Sequence, residues 1–166
     1  MIPDTDVILE DPRWADAVNA ELLASQAAAA LFSLDVATLA TSAEMSVLFC
    51  SDARMRELNF RWMGKDAPTN VLSFPAPETQ ANAGARHLGD IALAFETIGT
   101  EAKAEGKAMS DHAMHLLIHG MLHLIGFDHQ TDEEADHMEA IESRGMKSLG
   151  LNDPWASAQS RESRRV

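Results

Sequence analysis

The chain has 166 residues, of which 46% are hydrophobic and 23% charged, a balance typical of one globular domain that needs no disulfide. Its formal net charge of -13 argues against broad binding of nucleic acid to a basic surface. A lone Cys50, an acidic beginning unlike a signal peptide and the lack of any apolar run of about 20 residues predict a cytoplasmic protein without a membrane partner.

Strand-like and helical patterns alternate in the first part of the chain. Apolar or alternating runs predict four strands, at residues 7–9, 45–50, 70–74 and 88–95. Helical patterns cover residues 11–32 and 52–62, and Ser51 stands where the second helix needs a cap. The stretch 76–86, with its proline, asparagine and glycine, predicts a loop.

From residue 97 onward the pattern is only helical. Three helices are predicted, and Thr131 with Glu134 forms the capping box that opens the last; they cover residues 97–106, 110–125 and 132–149. We expect a flexible tail from about residue 155. No repeat or linker divides the chain, so residues 1–166 predict a single α+β domain, with helices packed on a small mixed sheet of about four strands.

Three of the seven histidines fall within HGMLHLIGFDH, residues 119–129. His119 and His123 are four residues apart and therefore share one face of a helix. Gly126 can end that helix in a left-handed conformation and turn His129 back toward the same point. Three imidazoles suit one zinc ion of the catalytic kind, with a position left open for water. Ordinary polar residues on an amphipathic helix would not explain this spacing.

The same spacing occurs in the H-E-x-x-H-x-x-G-x-x-H motif of metzincin proteases, but with Gly120 here in place of the glutamate. Without that carboxylate, the motif lacks the general base for attack on a peptide. The cluster therefore predicts a hydrolase that acts on another substrate.

Three blocks of sequence together resemble the YbeY family of zinc-dependent endoribonucleases. They are HGMLHLIGFDH, which differs from the family signature only by Phe127 for tyrosine, GKDAPTNVLSFP at 64–75 and LGDIAL at 88–93. The resemblance implies an α+β fold and one zinc ion held by His119, His123 and His129. It also implies cleavage of single-stranded RNA in rRNA maturation at the 16S 3′ end and in ribosome quality control. The expected partners are rRNA or a ribosomal subunit, with ribosomal or assembly proteins.

One departure from the family concerns the residue before the G-K-D block, which is usually arginine and is Met63 here. Methionine cannot bind a phosphate through two parallel hydrogen bonds. Arg61 is therefore a candidate catalytic residue in its place, and Lys65 a candidate substrate-binding residue.

Other candidate roles surround the histidines. His119 counts as catalytic as well as a ligand, and Asp128 is either a general base or an orienting partner of a ligand histidine. His115 lies one turn before His119, so it could be a fourth ligand, a substrate contact or a core residue, and we favour contact with substrate or support of a ligand histidine. Asn70 and Ser73 are expected to line a groove for RNA.

Two further function classes compete with the endoribonuclease. A metallohydrolase of peptides or small molecules would need a carboxylate base near the metal. A ribosome-assembly factor without enzymatic activity would use a structural zinc with four protein ligands.

Overall fold

A four-stranded mixed sheet lies at the centre of the computed structural model, which describes residues 1–37, 39, 42–77 and 85–156. The strands are β1 (Asp4–Leu9), β2 (Ala43–Cys50), β3 (Val71–Pro75) and β4 (Arg86–Ala94), in the order β1-β2-β4-β3. The first, second and fourth run parallel, whereas β3 is antiparallel to β4 and forms an edge. The predicted α+β fold with a small mixed sheet is confirmed.

Six helices accompany the sheet in the described part of the chain: α1 (Arg13–Ala17), α2 (Ala20–Phe32), α3 (Asp52–Met63), α4 (Phe95–Ala104), α5 (Met109–Leu124) and α6 (Asp132–Ser148). The prediction of a single helix at residues 11–32 was wrong, because this stretch is divided into α1 and α2. Val18 is extended, and the side chain of Asn19 accepts a hydrogen bond from the Leu22 amide, which starts a new helix. The other helices begin and end within two residues of their predicted bounds.

The predicted helix caps are confirmed. The Ser51 hydroxyl accepts a hydrogen bond from the Arg54 amide at 3.2 Å, and Thr131 and Glu134 exchange both bonds of a capping box. These local bonds satisfy backbone amides that the first turn of a helix leaves without partners.

The sheet has a large core on one face and a smaller one on the other. Side chains of β2 and β4, including Val47 and Ile91, pack against α2 and α5 on the first face. Cys50 and Met55 pack with β4 on the second, where α3 lies. Burial raises the pKa of the Cys50 thiol to about 12, as expected for a core cysteine.

The ends of two predictions fall outside the described residues. The loop expected at 76–86 includes residues 78–84, and the tail expected from about residue 155 includes residues 157–166; neither segment is described. Trp155, at the start of that tail, is 5% exposed and packs against the domain. Within the described part of the chain, no helix combines the length and apolar character that crossing a bilayer requires.

Candidate metal centre

The end of α5 brings the three histidines together. The Nε2 atoms of His119 and His123, one turn apart, are separated by 3.2 Å. Gly126 follows in the left-handed region with φ +99°; its amide donates to the His123 carbonyl, and the Phe127 amide donates to the Leu122 carbonyl. This Schellman motif reverses the chain, so that ligand atoms of all three histidines lie within 4.8 Å of one another. The predicted convergence is confirmed.

The geometry and charge state of these imidazoles fit a metal ion. Nitrogen atoms 3.2 Å apart can each lie about 2.0–2.1 Å from one ion, the usual distance from zinc to histidine. Burial, and then the neighbouring His119 and His129, lower the pKa of His123 to about 4. Its ring is therefore neutral near pH 7, with a lone pair available for coordination.

A buried carboxylate on α6 orients the first ligand. Oε1 of Glu142, whose side chain is 1% exposed, lies 2.8 Å from Nδ1 of His119 and 3.1 Å from Nε2 of His115. Trp155 donates from Nε1 to the other oxygen at 3.0 Å. Because the carboxylate accepts the proton on Nδ1 of His119, the Nε2 atom is left free for an ion.

The same network keeps Glu142 ionised. Burial alone would raise the pKa of this carboxyl group, but the hydrogen bonds from His115 and His119 outweigh it and hold the pKa below its usual value. The buried negative charge is thus matched to the positive charge that an ion would bring to His119.

Sequence analysis missed Glu142 and Trp155. Glu142 lies 23 residues from His119 along the chain and is one acid among several in α6. The available signal was its spacing of four residues from the buried Met138, which puts the carboxylate on the apolar face of that helix. An acid at such a position needs buried partners.

The edge strand β3 forms the opposite wall of a cleft of about 950 Å³. Gly120 faces this wall, and a Cβ atom there would lie 3.0 Å from Oγ of Ser73 and 3.2 Å from Ile91. This close approach explains a glycine at the second position of the motif. A larger side chain at this position, such as the glutamate of the proteases, would have to push aside the side chains of Ser73 and Ile91.

Five of the residues predicted from sequence line this cleft beside the three histidines: Lys65, Asn70, Ser73, His115 and Asp128. Asn70 donates to Glu101 at 2.9 Å, whereas Asp128 is exposed and accepts from the amide of His129 at 2.8 Å. His115 is 2% exposed and bonded to Glu142. Their proposed contacts with substrate and their catalytic roles stay predictions.

Arg61 occupies a different place. It lies in the last turn of α3, outside the set of described residues that line the cleft, with its guanidinium 5.2 Å from the centre of the Trp62 ring. Its catalytic role also stays a prediction.

Comparison with known proteins adds to this geometry. A family described as endoribonuclease YbeY matches residues 10–150. A protein of Chelativorans sp. (strain BNC1) named endoribonuclease YbeY is 55% identical over 115 residues, which cover 69% of this chain and 71% of the relative. One of the same name from Azorhizobium caulinodans is 46% identical over 156 residues, covering 92% of this chain and 96% of the relative.

The fold is also similar to a solved structure. The solution structure of a Thermotoga maritima protein covers 92% of this chain and 99% of its own, with 19% sequence identity and a TM-score of 0.54. At this level of identity the likeness concerns the fold alone.

Proposed function

The chain belongs to the YbeY family of endoribonucleases, and on that premise we propose that it cleaves single-stranded RNA during rRNA maturation, with one zinc ion as cofactor. The observation that carries this proposal is the convergence of His119, His123 and His129 beside an open cleft. Three imidazoles without a fourth protein ligand are the usual arrangement of catalytic zinc.

The chemistry requires an activated nucleophile, neutralisation of charge on the phosphate and help for the leaving oxygen. Zinc held by the three histidines would supply Lewis acidity for these needs. The chain's own residues contribute orientation and proton transfer: Glu142 holds the His119 ring, and Asp128, exposed in the cleft, is the candidate base. The nucleophile is either water or a ribose 2′-hydroxyl.

The cleft favours a flexible strand over a duplex. Its second wall is an edge strand with partly exposed polar groups, Asn70 and Ser73, and Lys65 lies at the same wall as a candidate phosphate contact. Proteins that recognise RNA specifically generally contact single-stranded segments, whose bases are accessible. The net charge of -13 supports targeting by a partner, for which we propose a ribosomal subunit with ribosomal or assembly proteins, in the cytoplasm.

The competing functions fit less well. A peptidase of the metzincin kind would carry its carboxylate at position 120, where a glycine packs closely against Ser73 and Ile91. A structural zinc uses four protein ligands, whereas the histidine cluster found among the described residues has three members.

The test compares wild type with His123→Ala, both free of contaminating nucleases and analysed for metal. We expect wild type to cut single-stranded RNA, to stop when a chelator removes the ion and to recover with zinc, whereas His123→Ala stays inactive. His137→Ala, an exposed histidine on α6, is the matched control and should behave as wild type. Cleavage of peptides but not RNA would sink the proposal, and zinc-loaded protein that binds ribosomal subunits without cutting RNA would favour the assembly factor.

A further inference from the structure

We propose that Trp62 is a stacking platform for a base of single-stranded RNA, beside the cleft, with Arg61 and Lys65 contacting the adjoining phosphates. This inference rests on the proposed function, because it names how the same enzyme would hold its substrate. A base stacked on an aromatic ring supplies affinity that does not depend on a high positive charge. That source of affinity suits a chain with a net charge of -13.

The exposure of Trp62 sets it apart from the other tryptophans. Its side chain is 60% exposed, whereas Trp14 is 0% and Trp155 is 5% exposed. All three tryptophans of the chain lie within the described residues. Large exposed aromatic rings often mark binding surfaces, because leaving them in water sacrifices the gain from burial.

The position of Trp62 at the end of α3 explains why its side chain is exposed to solvent. Met55, Asn59 and Trp62 follow the i, i+4, i+7 spacing and share one face of α3, the face that packs on the sheet. Met55 and Asn59 are buried, whereas Trp62 is 60% exposed and lies beside Phe74 on the edge strand β3, with ring centres 6.3 Å apart. No described strand lies beyond β3, so the line of buried residues continues into solvent.

The nearest cations are available for phosphates. The guanidinium of Arg61 lies 5.2 Å from the Trp62 ring centre, and Lys65 is exposed three residues further along. Neither forms a salt bridge with another described residue. An exposed ring with one cation before it and one after it along the chain matches the chemistry of a nucleic-acid strand, in which bases and phosphates alternate.

Two acidic side chains near the patch formed by Arg61, Trp62 and Lys65 already lie beside other side chains. Asp66 accepts two bonds from Arg56, at 2.6 and 3.0 Å. Asp90, the cross-strand partner of Phe74, lies 3.3 Å from the His87 ring. The ion pair between Arg56 and Asp66 reduces the repulsion that an RNA strand would meet there.

The patch adjoins the cleft across the edge strand β3, because Lys65 lines the cleft whereas Arg61, Trp62 and Phe74 are not among its described lining residues. Gly64, with φ +71°, ends α3 and turns the chain from Trp62 to Lys65, which lines the cleft. Phe74 touches Trp62, while its neighbours Ser73 and Pro75 line the cleft. A strand of RNA that crosses the edge of β3 could therefore meet both the platform and the histidines. A protein partner would not require this alternation of ring and cations, so we commit to RNA.

Trp62 itself reports on the interaction: because Trp155 also lines the cleft, the signal of Trp62 is the part of the quenching that Trp62→Leu removes. Full-length His123→Ala, which should not cut RNA, is titrated with a short oligouridylate while tryptophan emission and the anisotropy of labelled RNA are followed. We expect quenching that disappears in the double variant with Trp62→Leu, together with an affinity loss of about 5- to 100-fold, as for one lost stack. Trp62→Phe should retain most of the affinity. Two phosphate contacts predict a shallow salt dependence, with a slope of about -1.4.

Phe60→Leu is the matched control, because Phe60 is 62% exposed on a different side of the same helix. Its affinity for RNA should equal that of the parent, and thermal melts should show that all variants fold. Equal affinities for Trp62→Leu and its parent would overturn the platform, as would equal losses in Trp62→Leu and Phe60→Leu. Quenching by anionic vesicles or peptides but not by RNA would also overturn it. If wild type shows the Trp62-dependent binding but cuts no RNA, the platform stands and the proposed nuclease fails.

Discussion

The two walls of the cleft are built in opposite ways. The metal wall is formed by the histidine cluster and its supports. There the carboxylate of Glu142, 1% exposed, links α5, α6 and the Trp155 segment through three hydrogen bonds. On the wall formed by β3, the strand is partly exposed and Lys65 is exposed, and Trp62, beside the cleft at the end of α3, is 60% exposed. Groups that hold an ion must keep fixed distances, whereas groups that meet a flexible strand must stay accessible. The histidine cluster is thus held by buried hydrogen bonds, whereas the wall formed by β3 is open to solvent.

From this comparison, we expect the largest loss of stability when a side chain is added where the backbones of β3 and β4 approach most closely. Gly89 on β4 has φ +141°, and a Cβ atom there would lie 2.3 Å from the Phe74 carbonyl oxygen of β3. Gly89→Ala should therefore displace β3 and lower the free energy of unfolding by about 3 kcal/mol, measured by chemical denaturation. RNA affinity should fall with it.

Gly106→Ala is the control for that experiment. Gly106 also has a positive φ, +65°, but a Cβ atom there would meet nothing within 4 Å, so we expect a loss of only about 1 kcal/mol. Equal losses in the two variants would show that the close approach of β3 and β4 is unimportant.

The metal wall should be sensitive to the replacement of a single carboxylate oxygen by an amide nitrogen. Glu142→Gln keeps the shape of the side chain but removes the negative charge opposite His119. We expect the affinity for zinc to fall by about 10- to 100-fold, measured by competition with a chromophoric chelator, because partners of ligand histidines have effects of this size. RNA affinity of the metal-free protein should not change, since the carboxylate is buried.

The matched control is Glu133→Gln, which removes the same charge from an exposed position on the same helix. Its zinc affinity should equal that of wild type. If Glu142→Gln also binds zinc normally, the carboxylate does not position His119.

The smallest expected effect is the pH dependence of the metal-free protein. The pKa of His123 is about 4 in the folded chain against 6.5 for an ordinary histidine, so the unfolded chain binds more protons between these values. The free energy of unfolding should therefore decrease as the pH falls from 7 to 4, by about 1–2 kcal/mol after allowance for partial exposure. Denaturation at several pH values measures it.

His123→Ala removes this contribution and should give a shallower dependence on pH. The lowered pKa of Glu142 acts in the same direction at lower pH, since its stabilisation is lost as the carboxyl group takes up a proton. An unchanged slope in His123→Ala would contradict the assignment to His123.

Short-range features were predictable because their partners lie a few residues away. The i, i+4 spacing of His119 and His123, the turn at Gly126 and the capping box at Thr131 all follow from helix geometry. The break at Asn19 was missed although its cap is local, because the surrounding alanine-rich pattern favours one continuous helix.

The sequence by itself thus determined the fold class, the family and the three converging histidines, since these depend on local spacing and on specific blocks of residues. Only the tertiary structure decided which acid of α6 supports His119 and which tryptophan remains in solvent. The surroundings of Glu142 and Trp62 come from other elements of the fold: α6 packs beside α5, and Trp62 at the end of α3 lies beside Phe74 of the edge strand β3. Burial and contact of this kind depend on how elements pack, which residue type and periodicity alone do not specify.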